Sequence, residues 1–583
     1  MTKLDQYQYG AAVSEAPRVL VTAPPGSGKT TTLVAHLQFM VETRRITPSR
    51  IAAITFTRMA AREIRERAGE ACRGMQISTL HAFCLDMLMT MGDHVGYERD
   101  WLSIIDDEDA RLDEKEVLSD LGLIRRKPDG RYDWARVGAA AWQKFVSGVT
   151  SGRIERGSGL YRECWKAWDA LLARFRSQNL LTYGTILTEA LALLDDRKAL
   201  AYFRDQHRHI VVDEAQDTSH IQWSIVWRLV EKAKPDTLWV VADADQSLYS
   251  WRGAAPNEII AMSKSAKVET HTLTNSYRFG PGIADPAMRL IKNNAERIPS
   301  VIVPRGKMHG KCTTLLHQTI RQTADLVISL HRGRAPTDIA VLCRAHAPLN
   351  KLADEFKALK IKHVKIGRLN VLRSKAEFRA VMGYLRLAVN PFDRRAFMAI
   401  TATEHLDESS IRLVREKAVA GRLSLPAAYG KTIPSDFNAI KSHICEIDPA
   451  TDYSDAIDYL TRAAFWEGLV TPADFVRYVS LADMQDEFRH TNDGVTLCTG
   501  HAAKGLEWPV VVIIGCNESI TPSKRAENEG NIEEERRIMY VMMTRAQEEL
   551  ILIHNVFDRD QKTFWFKNDG DPSRFIAEAK HAS

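Results

Sequence analysis

Ala23-Pro24-Pro25-Gly26-Ser27-Gly28-Lys29-Thr30 decides the fold. It follows a short apolar run, Val19-Leu20-Val21, and precedes Leu33, Leu37 and Met40 at helical spacing. That is the strand, loop and helix setting of a phosphate-binding loop. Glycines let successive backbone N–H groups curl round an anion, and a helix N-terminus adds its positive dipole end. Lys29 would reach the outer phosphates and the Thr30 hydroxyl would ligate Mg²⁺. Ala23 stands where the usual pattern begins with glycine. The competing reading, a Gly/Pro-rich turn that happens to hold a lysine, does not account for the strand before it and the helix after it.

The chain has 583 residues, too many for one hydrophobic core, so three or four domains or subdomains are expected. Apolar content of 45% and charged content of 26% are those of an ordinary globular protein. The net charge of +5 permits a nucleic-acid partner without demanding one. Eight cysteines occur singly and form no CxxC pair, which argues against zinc and iron–sulfur sites and suits a reducing cytoplasm. The first residues lack a signal-peptide apolar region, and no run approaches 18 apolar residues, so secretion and membrane spanning are not expected.

Further motifs follow in order. Gln8, just before the loop, has an amide that can donate and accept at once, as an adenine edge requires. Ile51–Phe56 reads as a second strand, with Phe56 a stacking platform for a base or else a core residue. Residues 89–190 read as a helical insertion with no notable strand signal. The apolar run His209–Val212 ends in Asp213-Glu214. There Asp213 would hold Mg²⁺ and Glu214 would orient or deprotonate the attacking water. The strand Thr237–Ala242 leads to Gln246, suited to the γ-phosphate or the lytic water, and to the stacking and cationic residues Tyr249, Trp251 and Arg252. Arg278 can stabilise transition-state charge, and Arg545 is a second basic group for the same phosphate from a second α/β unit that starts near residue 279. Residues 392–489 look like a second, short insertion. In the run Glu533–Arg537, helix-surface pairing at i,i+4 competes with any functional reading of Arg536 and Arg537.

Taken together, the phosphate loop, Thr55-Phe56-Thr57, Thr79-Leu80-His81, Asp213–Gln216, Asp245–Tyr249, Asn275–Arg278, His501–Glu507 and Tyr540–Arg545 stand in the order found in UvrD/Rep/PcrA-like superfamily 1A DNA helicases, which the chain resembles over nearly its whole length. The resemblance implies an α/β fold with two RecA-like domains built on parallel sheets, 1A over 1–88 and 191–278 and 2A over 279–391 and 490–583. Each carries a mostly helical insertion, 1B over 89–190 and 2B over 392–489. It implies ATP and Mg²⁺ in the cleft, with Ala23 to Thr31, Gln8, Tyr277 and Glu507 on the nucleotide, Thr30 and Asp213 on the metal, Glu214 as base, Gln246 as γ-phosphate sensor and Arg278 and Arg545 as arginine fingers. Phe56, Thr57, His81, Tyr249, Trp251, Arg252, Arg344 and His501 would line a single-strand track. The implied activity is 3′→5′ translocation on single-stranded or junction DNA in the cytoplasm. Thr31 replaces an arginine that usually sandwiches adenine, Asn275-Ser276 replaces a Gln-Asn pair, and His346 replaces an asparagine near the strand. The sequence ends soon after Phe575, so no nuclease domain is expected after it. A second reading is a nucleotide-gated subunit that recruits or activates a partner nuclease, as in Gabija-type anti-phage systems. A third is an RNA-directed enzyme.

Overall fold

The computed structural model describes residues 4–127, 129, 131–134, 136–156, 161–230, 237–317, 319–366, 372–421, 423–432, 434, 436–481, 493–555 and 571–580. Two six-stranded parallel sheets dominate it. The first runs in the order Glu269–Thr272, Arg18–Thr22, Thr237–Ala242, His209–Val212, Ile51–Thr55, Gln76–Thr79. The second runs Lys311–His317, Ala546–Asn555, Trp508–Ile513, Ile339–Cys343, Val495–Thr499, His363–Lys365. The expected pair of parallel α/β lobes is therefore present.

The apolar runs are continuous because both faces of each sheet are covered. Successive side chains point to opposite faces. Leu20, Ile54, Val212 and Val240 enter one core, while Val19, Val21, Ala53, Val211, Trp239 and Val241 enter another on the far side. The second sheet divides likewise, with Leu342, Val511 and Leu550 on one face and Val341, Val512 and Ile551 on the other. Parallel strands deliver their C-terminal ends to one edge, where open α/β sheets bind ligands. Thr22 leads into the phosphate loop, Val212 into Asp213-Glu214, Ala242 into Asp243–Gln246 and Thr55 into Phe56.

Both insertions have their own cores. In the first, helices Asp107–Asp120, Ala139–Ser151 and Arg162–Ser177 pack around Trp142, Phe145 and Trp168. It does contain strands. Ser103–Ile105 pairs in parallel with Leu180–Thr182, and Arg125–Arg126 pairs antiparallel with Tyr132–Asp133. Segments of two or three residues are too short to show a period in sequence, and the parallel pair ties the entry of the insertion to its exit.

The second insertion packs helices from Arg394–Ile400 to Pro472–Leu481 around Phe397, Ile440 and Leu460. The helix Ala376–Val389, which the sequence boundaries assign to the second lobe, joins that same core through Phe378, Tyr384 and Leu385. It ends where expected, since Asn390 precedes Pro391 and is extended. Within this core the buried Glu404 carboxylate accepts from the Tyr384 hydroxyl at 2.6 Å, the Lys431 ammonium at 2.7 Å, the His443 ring at 3.0 Å and the Tyr429 hydroxyl at 3.1 Å. Burial alone would push Glu404 up, but Lys431, Tyr384 and His443 outweigh it and hold the carboxyl down at about 2. A depressed folded-state value means stability that is present above the unfolded value and lost as pH falls through it. Glu404→Gln is therefore expected to flatten the loss of helix protection in residues 376–481 between about pH 4.5 and pH 2, followed by hydrogen exchange. An acid limb unchanged from wild type would contradict this.

Candidate functional site

The loop between Thr22 and Lys29 depends on two left-handed glycines, Gly26 at φ +74° and Gly28 at φ +78°. Space excludes side chains there as well. A Cβ on Gly28 would stand 2.6 Å from Gln8 Nε2, and one on Gly26 would stand 2.5 Å from Arg278 Cβ. The helix Lys29–Glu42 starts with no side-chain cap and no acidic residue in its first turn. Its N–H groups therefore lack the partner that most helices provide for themselves, which fits an anion as the missing cap. Lys29 Nζ donates to Ala23 O at 3.3 Å and lies 3.9 Å from Glu214. Thr30 and Thr31 are half-buried in the first turn beside it.

Gln8 is buried, and its amide donates to Ser27 O at 2.9 Å while accepting from Asp5 N at 3.0 Å. It belongs to the loop rather than to solvent. Tyr277 is 48% exposed, with its hydroxyl on Asp5 at 2.7 Å, leaving a ring face open beside the loop. The Tyr277 amide donates to Gly26 O at 2.8 Å, and the Ser276 hydroxyl donates to Pro25 O at 2.8 Å.

Asp213 and Glu214 leave the strand end together. Burial and the adjoining Glu214 raise the Asp213 carboxyl above the usual range. A buried carboxylate without a cation is costly, and Lys29 supplies part of the positive charge that offsets it. Glu214 is displaced the other way. Burial opposes its charge, but Lys29, Lys504 and the Gln216 amide overcome that and keep it low. Lys504 Nζ stands 3.9 Å from Glu214, so two ammonium groups flank the carboxylate. An ionised carboxylate at the base of a phosphate loop can accept a proton from water.

Residues of the second lobe complete the cluster. Arg545 is 2% exposed and donates to Gln246 Oε1 at 3.0 Å, while Gln246 Nε2 donates to Asp243 at 2.6 Å. Burial and the neighbouring Arg278 hold Arg545 below the usual guanidinium value. Arg278 donates to Glu507 at 2.6 Å and to Thr544 O at 3.0 Å. Two latches escaped the sequence reading. Lys504 donates to Gln246 O at 2.7 Å and to the buried Asp217, which burial raises to about 6 against the pull of Lys504. Arg297 grips Asp245 with two hydrogen bonds, at 3.1 and 2.5 Å. Lys504 lies inside the His501–Glu507 motif, but its partner is 287 residues away.

The residues assigned to a strand track fall into separate groups. Phe56 stacks on Tyr249 with centroids 4.8 Å apart, Arg252 lies over the Tyr249 ring at 5.3 Å, and His501 lies 5.9 Å from it. His81 stacks on Tyr183 at 3.7 Å. Tyr183 is 40% exposed, and its place on the first insertion gave no sequence signal of a site. Burial, with Arg252 beside one ring and Arg344 beside the other, lowers both His81 and His501, so both rings are neutral at pH 7. Thr57 caps the helix Arg58–Ala68 by accepting from Ala60 N at 3.1 Å. Arg344 is engaged by the buried Glu535 through bonds of 2.8 to 3.0 Å. The backbone of Trp251 lies in the short turn Ser250–Arg252, and its side chain is outside the described residues.

Residues 4–267 match the UvrD/REP helicase N-terminal domain, and residues 271–416 and 451–556 match the UvrD-like helicase C-terminal domain. The chain belongs to the UvrD-like helicase family. The protein named ATP-dependent DNA helicase PcrA in Leuconostoc citreum is 28% identical over 97% of this chain and 83% of its own length. Its namesake in Staphylococcus aureus is 28% identical over 97% of this chain and 84% of its own. The two parallel sheets are thus the RecA-like domains of this family, and the stretch 417–450 that the family match omits falls inside the second insertion. No helix among the described residues is long and apolar enough to cross a membrane.

Proposed function

We propose that the chain is an ATP-driven DNA helicase that translocates 3′→5′ along single-stranded DNA. The observation that carries this is the assembly of one polar cluster from both lobes, with Arg545 on Gln246 and Lys504 on Asp217 beside the Lys29 loop. A site built from two lobes can be closed by a triphosphate and released by its hydrolysis. Lys29 and the amides of Gly26 to Thr30 bind the phosphates, Gln8 and Tyr277 hold adenine, and Arg278 and Arg545 meet the charge that develops on the γ-phosphate. Thr30 and Asp213 would hold Mg²⁺, which neutralises phosphate charge when bound. Phe56, Tyr249 and Arg252 offer stacking and cationic surface to a strand. Because Gln246 and Tyr249 share one loop, strand contact and phosphate contact are mechanically linked. The family membership and the printed names of the relatives support the same reading.

Full-length protein is expected to hydrolyse ATP faster with single-stranded DNA than without it, and to open duplexes carrying a 3′ tail in preference to a 5′ tail. Equal rates with and without the strand would sink the reading. Preference for the 5′ tail would overturn the polarity alone, and stimulation without strand separation would favour the nuclease-recruiting role.

A further inference from the structure

The run Glu533-Glu534-Glu535 opens the helix Ile532–Met543. Consecutive helical residues project about 100° apart, so three neighbouring acids cannot share one partner. They fan out to three elements. Glu533 accepts from Ala295 N at 2.8 Å and from Arg537 at 3.4 Å. Glu535 takes Arg344 and the Ser523 amide. Only the Glu533–Arg537 contact is the helix-surface pair that sequence spacing suggests, and Arg536 turns instead to Glu578 at 2.7 Å.

Glu534 reaches across to Ser250. The Ser250 amide donates to Glu534 Oε1 at 3.1 Å, and the Ser250 hydroxyl donates to Oε2. The Ser250 carbonyl in turn accepts from Arg153 of the first insertion. All three polar groups of this residue are thus committed to other parts of the protein, in the middle of the loop that carries Tyr249 and Arg252. The far end of the same helix leads into Arg545, which holds Gln246 four residues earlier in that loop. Four extended residues span at most about 14 Å, and nine helical steps from Glu534 to Met543 span roughly the same distance. The helix therefore lies along the loop and is fastened to it at both ends. Its residues Ile538 to Met543 are buried in the core of the second lobe, and the unbroken hydrogen-bonded helix is a stiff link between its two ends.

We propose that Glu534 is a positioning residue that transmits strand binding at the Tyr249–Arg252 loop to Arg545. The inference rests on the translocase reading above. A strand that shifts Tyr249 or Arg252 shifts Ser250, Ser250 pulls on Glu534, and the rigid helix carries the displacement to Arg545.

The test is ATP hydrolysis by the full chain, with and without oligo-dT, for wild type, Glu534→Gln, Ser250→Ala, the double variant and Ser250→Thr. Losing a hydrogen bond to a charged group should lower the strand-stimulated kcat of Glu534→Gln about tenfold. Basal rate, KM for ATP and oligo-dT affinity should stay within about twofold, since no contact to nucleotide or strand is removed. The double variant should be no worse than the worse single one, and Ser250→Thr should restore stimulation because it keeps both the hydroxyl and the amide. A stimulated kcat within about twofold of wild type in Glu534→Gln overturns the proposal. So do additive losses in the double variant, and so does a parallel fall in basal rate, which marks a merely structural role. A wild-type chain that ignores oligo-dT overturns the translocase reading itself, and the inference with it, so the two failures are distinguishable.

Discussion

Glu214→Gln is expected to lower the rate of ATP hydrolysis by about 10²–10⁴-fold while ATP still binds. The substitution keeps the shape of the side chain, and its amide oxygen can still accept from Gln216, as the carboxylate does. What it loses is the ability to take a proton from the attacking water. Glu214 adopts a left-handed φ of +49°, sparsely populated for a residue with a side chain, and is held there by its own N–H to Asp213 at 2.9 Å and by Asp217 N on its carbonyl at 3.0 Å. That geometry turns the carboxylate between Lys29 and Lys504. Both ammonium groups remain in the variant, so nucleotide affinity, read with a fluorescent ATP analogue, should change little, while phosphate release should nearly stop. Phosphate release within about tenfold of wild type would take the role of base away from Glu214. Asp217, buried on the same turn, would then be the carboxylate to examine.

The phosphate loop was legible because its chemistry is local. Two glycines, a lysine and a threonine stand within a few residues of one another, between a strand and a helix whose periods are plain. Strand ends were legible for the same reason, since each motif follows an apolar run directly. Contacts between the lobes were not. Nothing near Lys504 in sequence announces Asp217, and nothing near Arg344 announces Glu535. Arg344 is engaged by a carboxylate that composition and spacing leave unmarked. The insertions were legible as helical but not as partners. The apolar face of Ala376–Val389 reads equally well against a sheet or against other helices, and only packing decides that it joins Phe397 and Ile440.

Arg386→Ala is expected to cost about 3–5 kcal/mol of local stability, the usual consequence of removing one member of a buried ionic cluster. The helix Asp107–Asp120 of the first insertion presents Asp109, Asp113 and Glu116 at i, i+4 and i+7, hence on one face. The second insertion answers with Arg386 and Arg379 on Asp109 and with Arg395 on Asp113 and Glu116. Arg386 is the most enclosed of these cations. It donates to both Asp393 oxygens, at 2.9 and 3.0 Å, and to Asp109 at 2.5 Å. Truncation would strand two carboxylates that are almost wholly shielded from water. Asp393 would retain the Ala396 amide at 2.9 Å, and Asp109 would retain Arg379 at 3.0 Å. Neither replaces a guanidinium. Because a chain with several cores need not unfold in one step, the effect should be read as hydrogen-exchange protection in residues 103–120 and 376–400. Both segments should lose protection together, since the broken contact belongs to both. Arg394→Ala is the control. Its contact with Glu116 at 3.3 Å is partly open to solvent, so no more than about 1 kcal/mol should be lost. The triple change Asp109→Leu, Asp393→Asn and Arg386→Met should be milder than Arg386→Ala alone, because it removes the cation together with both carboxylates it answers and still leaves an acceptor for the Ala396 amide. Equal protection in Arg386→Ala and Arg394→Ala would mean that water reaches this contact and that the insertions part freely.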